Sequence, residues 1–187
     1  MSGPLLTGTP DHDSPEEVVW QGRFVTAKRR GRWEYAGRAR SIRAAVILAI
    51  DGDHVILVSQ YRVPLGRQSL ELPAGLVGDE EGMEDEPVEV AAARELEEET
   101  GYRPARIEKL IDLYSSPGML SESFALLRAH GLTKVGEGGG VAGEDIAVHR
   151  VPLPDVRAYV EDWQRGGGAV DVKVALLLAG AWLGSEE

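Results

Sequence analysis

Apolar residues fall in short runs separated by glycine, proline and charge, and the period of each run predicts an element. Residues 44–50 (AAVILAI) and 55–61 (VILVSQY) flank Asp51-Gly52-Asp53. An Asp-Gly turn between β-branched runs predicts a hairpin of two core strands. Upstream, residues 18–43 alternate in shorter runs joined at Arg30-Gly31 and predict paired strands; downstream, 107–114, 123–128 and 146–151 read as further strands. Residues 87–100 predict a helix, with proline at the favoured first position and Gly101 as the stop. Two more helices are expected over 155–164 and 172–183, the second apolar enough to pack on a sheet or at a subunit contact. Residues 131–143 are rich in glycine and are expected to form a mobile loop, while 1–15 lack any period and are expected to be a flexible leader. The expected fold class is α/β (α+β), a mixed-sheet sandwich. It divides into the leader at 1–15, an N-terminal β-strand region at 16–43 and a main domain at 44–187.

Composition narrows the chemistry. The chain has 187 residues, 43% of them hydrophobic, which suits one domain with a real core. Cysteine is absent, so disulfides, zinc ribbons and thiol nucleophiles are excluded and carboxylate, histidine and hydroxyl chemistry remains. Acidic residues outnumber basic ones by 31 to 20, which argues against nucleic-acid binding. The apolar stretch at 174–184 is about half of what a membrane span needs, and the N-terminus has no basic start with an apolar signal core. No membrane association and a cytoplasmic location are expected. The four histidines, His12, His54, His130 and His149, have no metal-ligand spacing.

The charge pattern singles out RELEEETGY at 94–102, which crowds Glu95, Glu97, Glu98 and Glu99 into the end of the predicted helix. Like charges three or four apart cost roughly 0.2–0.5 kcal/mol each, and acids at the negative end of the helix dipole cost about 0.3–1 kcal/mol more. At about 100° per residue, Glu95 and Glu99 share the stripe of Val88, Ala92 and Leu96, whereas Glu97 points away. Carboxylates on a face meant to be buried require protons, basic partners or a divalent cation. Magnesium suits them, because it takes one or two carboxylates and fills its remaining positions with water and phosphate. Glu98 borders the same face.

Glu86, Arg94-Glu95-Leu96, Glu98-Glu99, Gly101 and Tyr102 together resemble the signature of the Nudix hydrolases, which cleave nucleoside diphosphates linked to another moiety. The resemblance runs over about 18–183 and implies a Nudix-type α/β/α sandwich. It also implies Glu95, Glu99 and Glu98 as Mg2+ ligands, with Mn2+ as a possible substitute, the carbonyl of Ala74 in the metal sphere, and Arg94 orienting the cluster. One departure is visible. The family's opening glycine matches Gly75 only if five residues are inserted before Glu86, which takes Glu81 and Glu86 out of register.

SSPGMLSE at 115–122, with Pro117 sixteen residues after Gly101, is similar to the ADP-ribose pyrophosphatase subgroup. That likeness implies a nucleoside diphosphate substrate, with ADP-ribose cut to AMP and ribose 5-phosphate. It also implies a homodimer with exchanged N-terminal strands and an active-site acid, Glu144 first and Glu122 second; a carboxylate entering from the glycine-rich loop could swing in on substrate, which would make 136–143 a gate. Binding candidates are Arg62, Glu71, Trp33, Arg43, Pro117 and Gly118. Arg23 and Lys28 are further phosphate contacts in an N-terminal region with eight basic residues in 18–43; the same charges also suit a guarded sheet edge. Trp20, Phe24, Trp33 and Tyr35 offer stacking surfaces, although taken singly each ring reads as core. Other readings stay open: another substrate such as a nucleotide sugar, NADH or a diadenosine polyphosphate, or a ligand sensor without catalysis.

Overall fold

The computed structural model describes residues 10–39, 43–78, 85–141 and 143–183. Three strands, β1 (Glu16–Gln21), β2 (Val25–Arg30) and β3 (Trp33–Arg38), form a separate antiparallel sheet. The main sheet contains β4 (Arg43–Asp51), β5 (His54–Arg62), β6 (Arg67–Glu71), β7 (Ala74–Val77), β9 (Arg106–Tyr114), β10 (Ser123–His130), β12 (Ala147–Pro152) and β13 (Ala169–Val170). Two short strands, β8 (Tyr102–Arg103) and β11 (Thr133–Lys134), pair with each other. The helices are α1 (Val88–Thr100), α2 (Val156–Arg165) and α3 (Ala175–Leu183). None of the described helices is long and apolar enough to cross a membrane.

The expected hairpin forms, with Gly52 supplying the positive φ of its turn, but β4 and β5 pair at only two positions before they part. β4 then runs antiparallel to β7 and parallel to β10, while β5 takes β12 and β6 as neighbours. The main sheet is therefore forked. Alternation along its central strands assigns the two faces: Ala45, Ile47 and Ala49 of β4 and Ala125, Leu127 and Ala129 of β10 pack against Ala91, Ala92 and Leu96 of α1. Val46, Leu57, Phe124 and Leu126 face Val156 and Val160 of α2 and Leu178 of α3. Helices on both faces bury both sides of these strands, which is why their sequences read as continuous apolar runs. The result is the α/β/α sandwich.

Two expectations change. Residues 172–183 are one turn of 3-10 helix at 172–174 followed by α3. In the N-terminal sheet, Trp20, Phe24 and Trp33 are more than half exposed, so these rings are not core. Among the described residues, no second layer covers these rings.

Candidate active site

Helix α1 ends as its sequence dictates: Gly101 adopts φ 70° and its N–H caps the Glu97 carbonyl. That frame fixes where each glutamate points. Glu99 is only 8% exposed, Glu95 is largely covered, and Glu97 lies outside, where Arg103 grips it through two bonds of 2.7 Å. Arg94 Nη1 donates to Glu95 Oε1 at 3.0 Å and lies 3.6 Å from Glu98 Oε2, and Nη2 donates to Glu86 Oε2 at 3.3 Å. Glu81, by contrast, lies outside the described residues.

Across from α1, β6 and β7 bend at Leu72-Pro73 and present Gly75 and Ala74. A Cβ at Gly75 would lie 2.1 Å from Glu95 Cδ, so only glycine lets that carboxylate rest against the strand. The Ala74 N–H donates to Glu99 Oε2 at 3.0 Å. Burial pushes the Glu99 carboxyl up to about 8; the Ala74 N–H opposes this, the charges of Glu95 and Glu144 reinforce it, and Arg62 opposes it. Arg62 is fixed in turn by Glu71, which accepts from Nε at 2.8 Å and Nη2 at 2.7 Å and raises the guanidinium's pKa.

These groups open onto a cavity of about 610 Å³. Glu95, Glu99, Glu144, Glu122, Arg62, Glu71 and Ala74 all line it, so it gathers most of the residues expected from the sequence, whereas Arg94 and Glu98 line a neighbouring cleft. Glu122 is held by Arg38 of β3 at 2.5 Å, and Lys173 pairs with Asp171 at 2.6 Å on the far wall. Sequence reasoning missed Arg38 and Lys173. Arg38 sits in a run of basic residues with nothing to distinguish it, and Lys173 comes from a remote turn.

The other candidates lie elsewhere. Trp33, Pro117 and Gly118 line a second cleft of about 490 Å³ together with Tyr35 and Tyr114. Arg43 is exposed at the start of β4 and lines neither cavity. Lys28 is tied to Glu16 at 2.9 Å, and Arg23 stacks 4.9 Å over Phe24. Arg29 pairs with Glu17 and Arg32 with Asp11, so the basic stretch is answered by acids from its own sheet and the segment before it.

Among the described residues, no three carboxylate or imidazole groups converge closely enough to enclose an ion alone. Two carboxylates on one cavity wall, one of them costly to ionise, still fit magnesium, which needs only one or two from the protein and leaves positions for water and phosphate.

The NUDIX domain model matches residues 40–165. The chain is 35% identical over 119 residues to a methanol dehydrogenase activator of Bacillus methanolicus, covering 63% of this chain and 62% of the relative. It is 37% identical over 118 residues to the ADP-ribose pyrophosphatase of Bacillus subtilis, covering 63% and 61%. Over 133 residues it is 38% identical to the GDP-mannose pyrophosphatase of Cronobacter sakazakii, covering 66% and 64%. The chain thus spans less than two thirds of these relatives' lengths. A solved ADP compounds hydrolase has the same fold, with a TM-score of 0.67 at 24% identity over 92% of this chain and 94% of that one.

Proposed function

Since the chain belongs to the Nudix family, we propose that it is a magnesium-dependent pyrophosphohydrolase that cuts ADP-ribose to AMP and ribose 5-phosphate. The observation that carries this reading is the shared cavity, which buried Glu99 and part-buried Glu95 line together with Glu144, Arg62, Arg38 and Lys173. That is an acidic centre with a basic rim, the charge pattern a diphosphate bridged by a cation requires.

Glu95 and Glu99 would hold the cation, which when bound would neutralise diphosphate charge; Glu98 lines a neighbouring cleft with Arg94 rather than this cavity. Arg94 keeps Glu95 and Glu98 oriented, and Glu71 keeps Arg62 extended toward the cavity. Glu144 accepts the proton of the attacking water as its oxygen bonds to one phosphorus; the bridging P–O bond breaks and that oxygen leaves with the other phosphate. Glu122, already neutralised by Arg38, is less suited to accept that proton.

A second copy of the chain completes the reading. The exposed Val18, Val19, Trp20, Phe24 and Trp33 form an apolar surface on the N-terminal sheet. Pairing there would bring the aromatic cleft at Trp33, Pro117 and Gly118 of one protomer to its partner, where an adenine would stack. Identity to a GDP-mannose pyrophosphatase favours one alternative, a nucleotide sugar as substrate.

The test is turnover of ADP-ribose, GDP-mannose, NADH and a diadenosine polyphosphate with magnesium and with chelator. Magnesium-dependent release of AMP and ribose 5-phosphate from ADP-ribose at the highest kcat/KM is expected. Preference for GDP-mannose would move the assignment to nucleotide sugars, and binding without turnover of any member would support a sensor.

A further inference from the structure

The last turn of α1 carries Glu97, Glu98 and Glu99 but no basic residue, and its final carbonyls lack intrahelical partners. Donors from outside the helix meet them. Gly101 N–H donates to Glu97 O at 2.8 Å, Gly140 N–H to Glu98 O at 3.0 Å, and Gly139 N–H to Glu99 O at 2.8 Å. Lys134 Nζ donates to Thr100 O at 3.0 Å while lying 4.8 Å from the centre of the Tyr102 ring. An ammonium at this end offsets the helix dipole that the glutamates aggravate.

The approach is close enough to demand glycine. A Cβ at Gly138, whose φ is +74°, would lie 2.5 Å from Glu99 O, and one at Gly140 would lie 2.3 Å from Glu144 Oε2. The same turn leads directly into Glu144. Val141 N–H donates to Glu144 Oε2 at 2.9 Å, Ile146 N–H to Gly139 O at 3.3 Å, and Gln60 Nε2 to Glu144 O at 2.9 Å. Residues expected from composition to form a mobile loop are therefore bonded at one end to the helix that bears Glu95 and Glu99 and at the other to the residue proposed to take the proton.

We propose that Lys134 and the turn at 138–140 are positioning residues that clamp the loop carrying Glu144 to the end of α1, so one backbone junction sets Glu144 relative to Glu99. The inference rests on the hydrolase reading for its catalytic consequence, but the clamp itself is measurable without turnover. Among the described residues, Lys134 reaches the site through the Thr100 carbonyl and, at 3.5 Å, the Glu137 carbonyl of the loop. Its loss misplaces groups rather than removing a ligand, and misplacement on the ångström scale costs rate more than binding.

The test uses the full chain as Lys134→Met, Lys134→Arg and Gly138→Ala. For ADP-ribose with magnesium, Lys134→Met is expected to lower kcat at least ~tenfold with KM within ~twofold, and Lys134→Arg to restore most of the loss. Gly138→Ala disrupts the same junction from the loop side and is expected to give the same split. Independently, hydrogen exchange without metal or substrate should show the Gly139 and Gly140 amides protected in the parent protein. Lys134→Met should reduce that protection at least ~tenfold while amides of β4 and β10 keep theirs. Unprotected Gly139 and Gly140 amides in the parent protein would overturn the clamp. Protection lost with kcat unchanged, or KM raised with kcat unchanged, would overturn the positioning role. A parent protein that turns over no nucleoside diphosphate defeats the hydrolase reading, while the exchange measurement still decides the clamp.

Discussion

Glu99→Gln is expected to stabilise the metal-free protein while disabling it. The side chain is 8% exposed, and burial beside the charges of Glu95 and Glu144 raises its carboxyl from 4.5 to about 8. The unfolded chain releases this proton near pH 4.5 and the native state keeps it until about pH 8. Between those values the native state binds more protons, so this group's contribution makes stability fall as pH rises. At ~1.4 kcal/mol per pH unit, the full cost of ionising Glu99 in place approaches ~5 kcal/mol. Relaxation and water penetration reduce it, and about 2–4 kcal/mol is expected at pH 8.5. Glutamine carries no charge at any pH, and its carbonyl oxygen can still accept the Ala74 N–H. Denaturant unfolding of both proteins with chelator at pH 5, 7 and 8.5 should show similar stabilities at pH 5 and a widening advantage for the variant above it. In thermal melts at pH 8.5 the advantage amounts to about 4–16 °C for a chain of this size. Magnesium should raise the parent's melting temperature more than the variant's, and turnover of the variant should fall at least ~100-fold. Parallel pH profiles for the two proteins would refute the claim that Glu99 is held protonated by burial.

Glu95→Gln should also cut kcat at least ~100-fold with the fold intact, whereas Glu97→Gln, which removes only an exposed partner of Arg103, should leave kcat/KM nearly unchanged; steady-state kinetics on both variants checks the assignment of helix faces. Gly75→Ala places a methyl where the Glu95 carboxylate rests and should cost about 1–3 kcal/mol of stability along with most of the activity, as read by denaturant unfolding and turnover. Removing residues 1–15 should be harmless. Removing 1–40 deletes β1 to β3 together with Arg38, and should abolish ADP-ribose binding and yield monomer or aggregate by light scattering; a full-length protein that hydrolyses ADP-ribose at the 20.2 kDa mass of one chain would reject the two-copy arrangement.

Helix α1 was legible because three signals agree on it: proline at its start, glycine at its stop, and an apolar stripe that Glu95 and Glu99 share. Strands β4, β5 and β10 were legible because helices cover both of their faces, leaving long apolar runs. Local sequence carries no record of partners, and the misreadings follow from that. β4 and β5 look like a continuous hairpin because nothing in their residues shows where the pair divides. The aromatic rings of the N-terminal sheet look like core because their exposure depends on a covering layer, and the described residues supply none. The close approach of Gly138 to Glu99 and of Gly140 to Glu144 was not legible either, because glycine in sequence signals conformational freedom and not a neighbour. Arg38 and Lys173 reach the cavity by topology alone, and no spacing rule links them to residue 94 or 99.

The fork in the main sheet means that two separate limbs supply the cavity. Glu95, Glu99, Ala74 and Glu122 stand with β4, β7 and β10 on one limb, whereas Ser69, Val170, Asp171 and Lys173 stand with β6 and β13 on the other. Arg62 and Glu71 share the second limb and Glu144 is tied to it through Gln60, so both limbs carry residues of the proposed reaction. A library confined to Ser69 and Val170, which line the cavity and carry no step of the proposed reaction, is expected to shift substrate preference with less loss of turnover than one that includes Arg62 or Glu71.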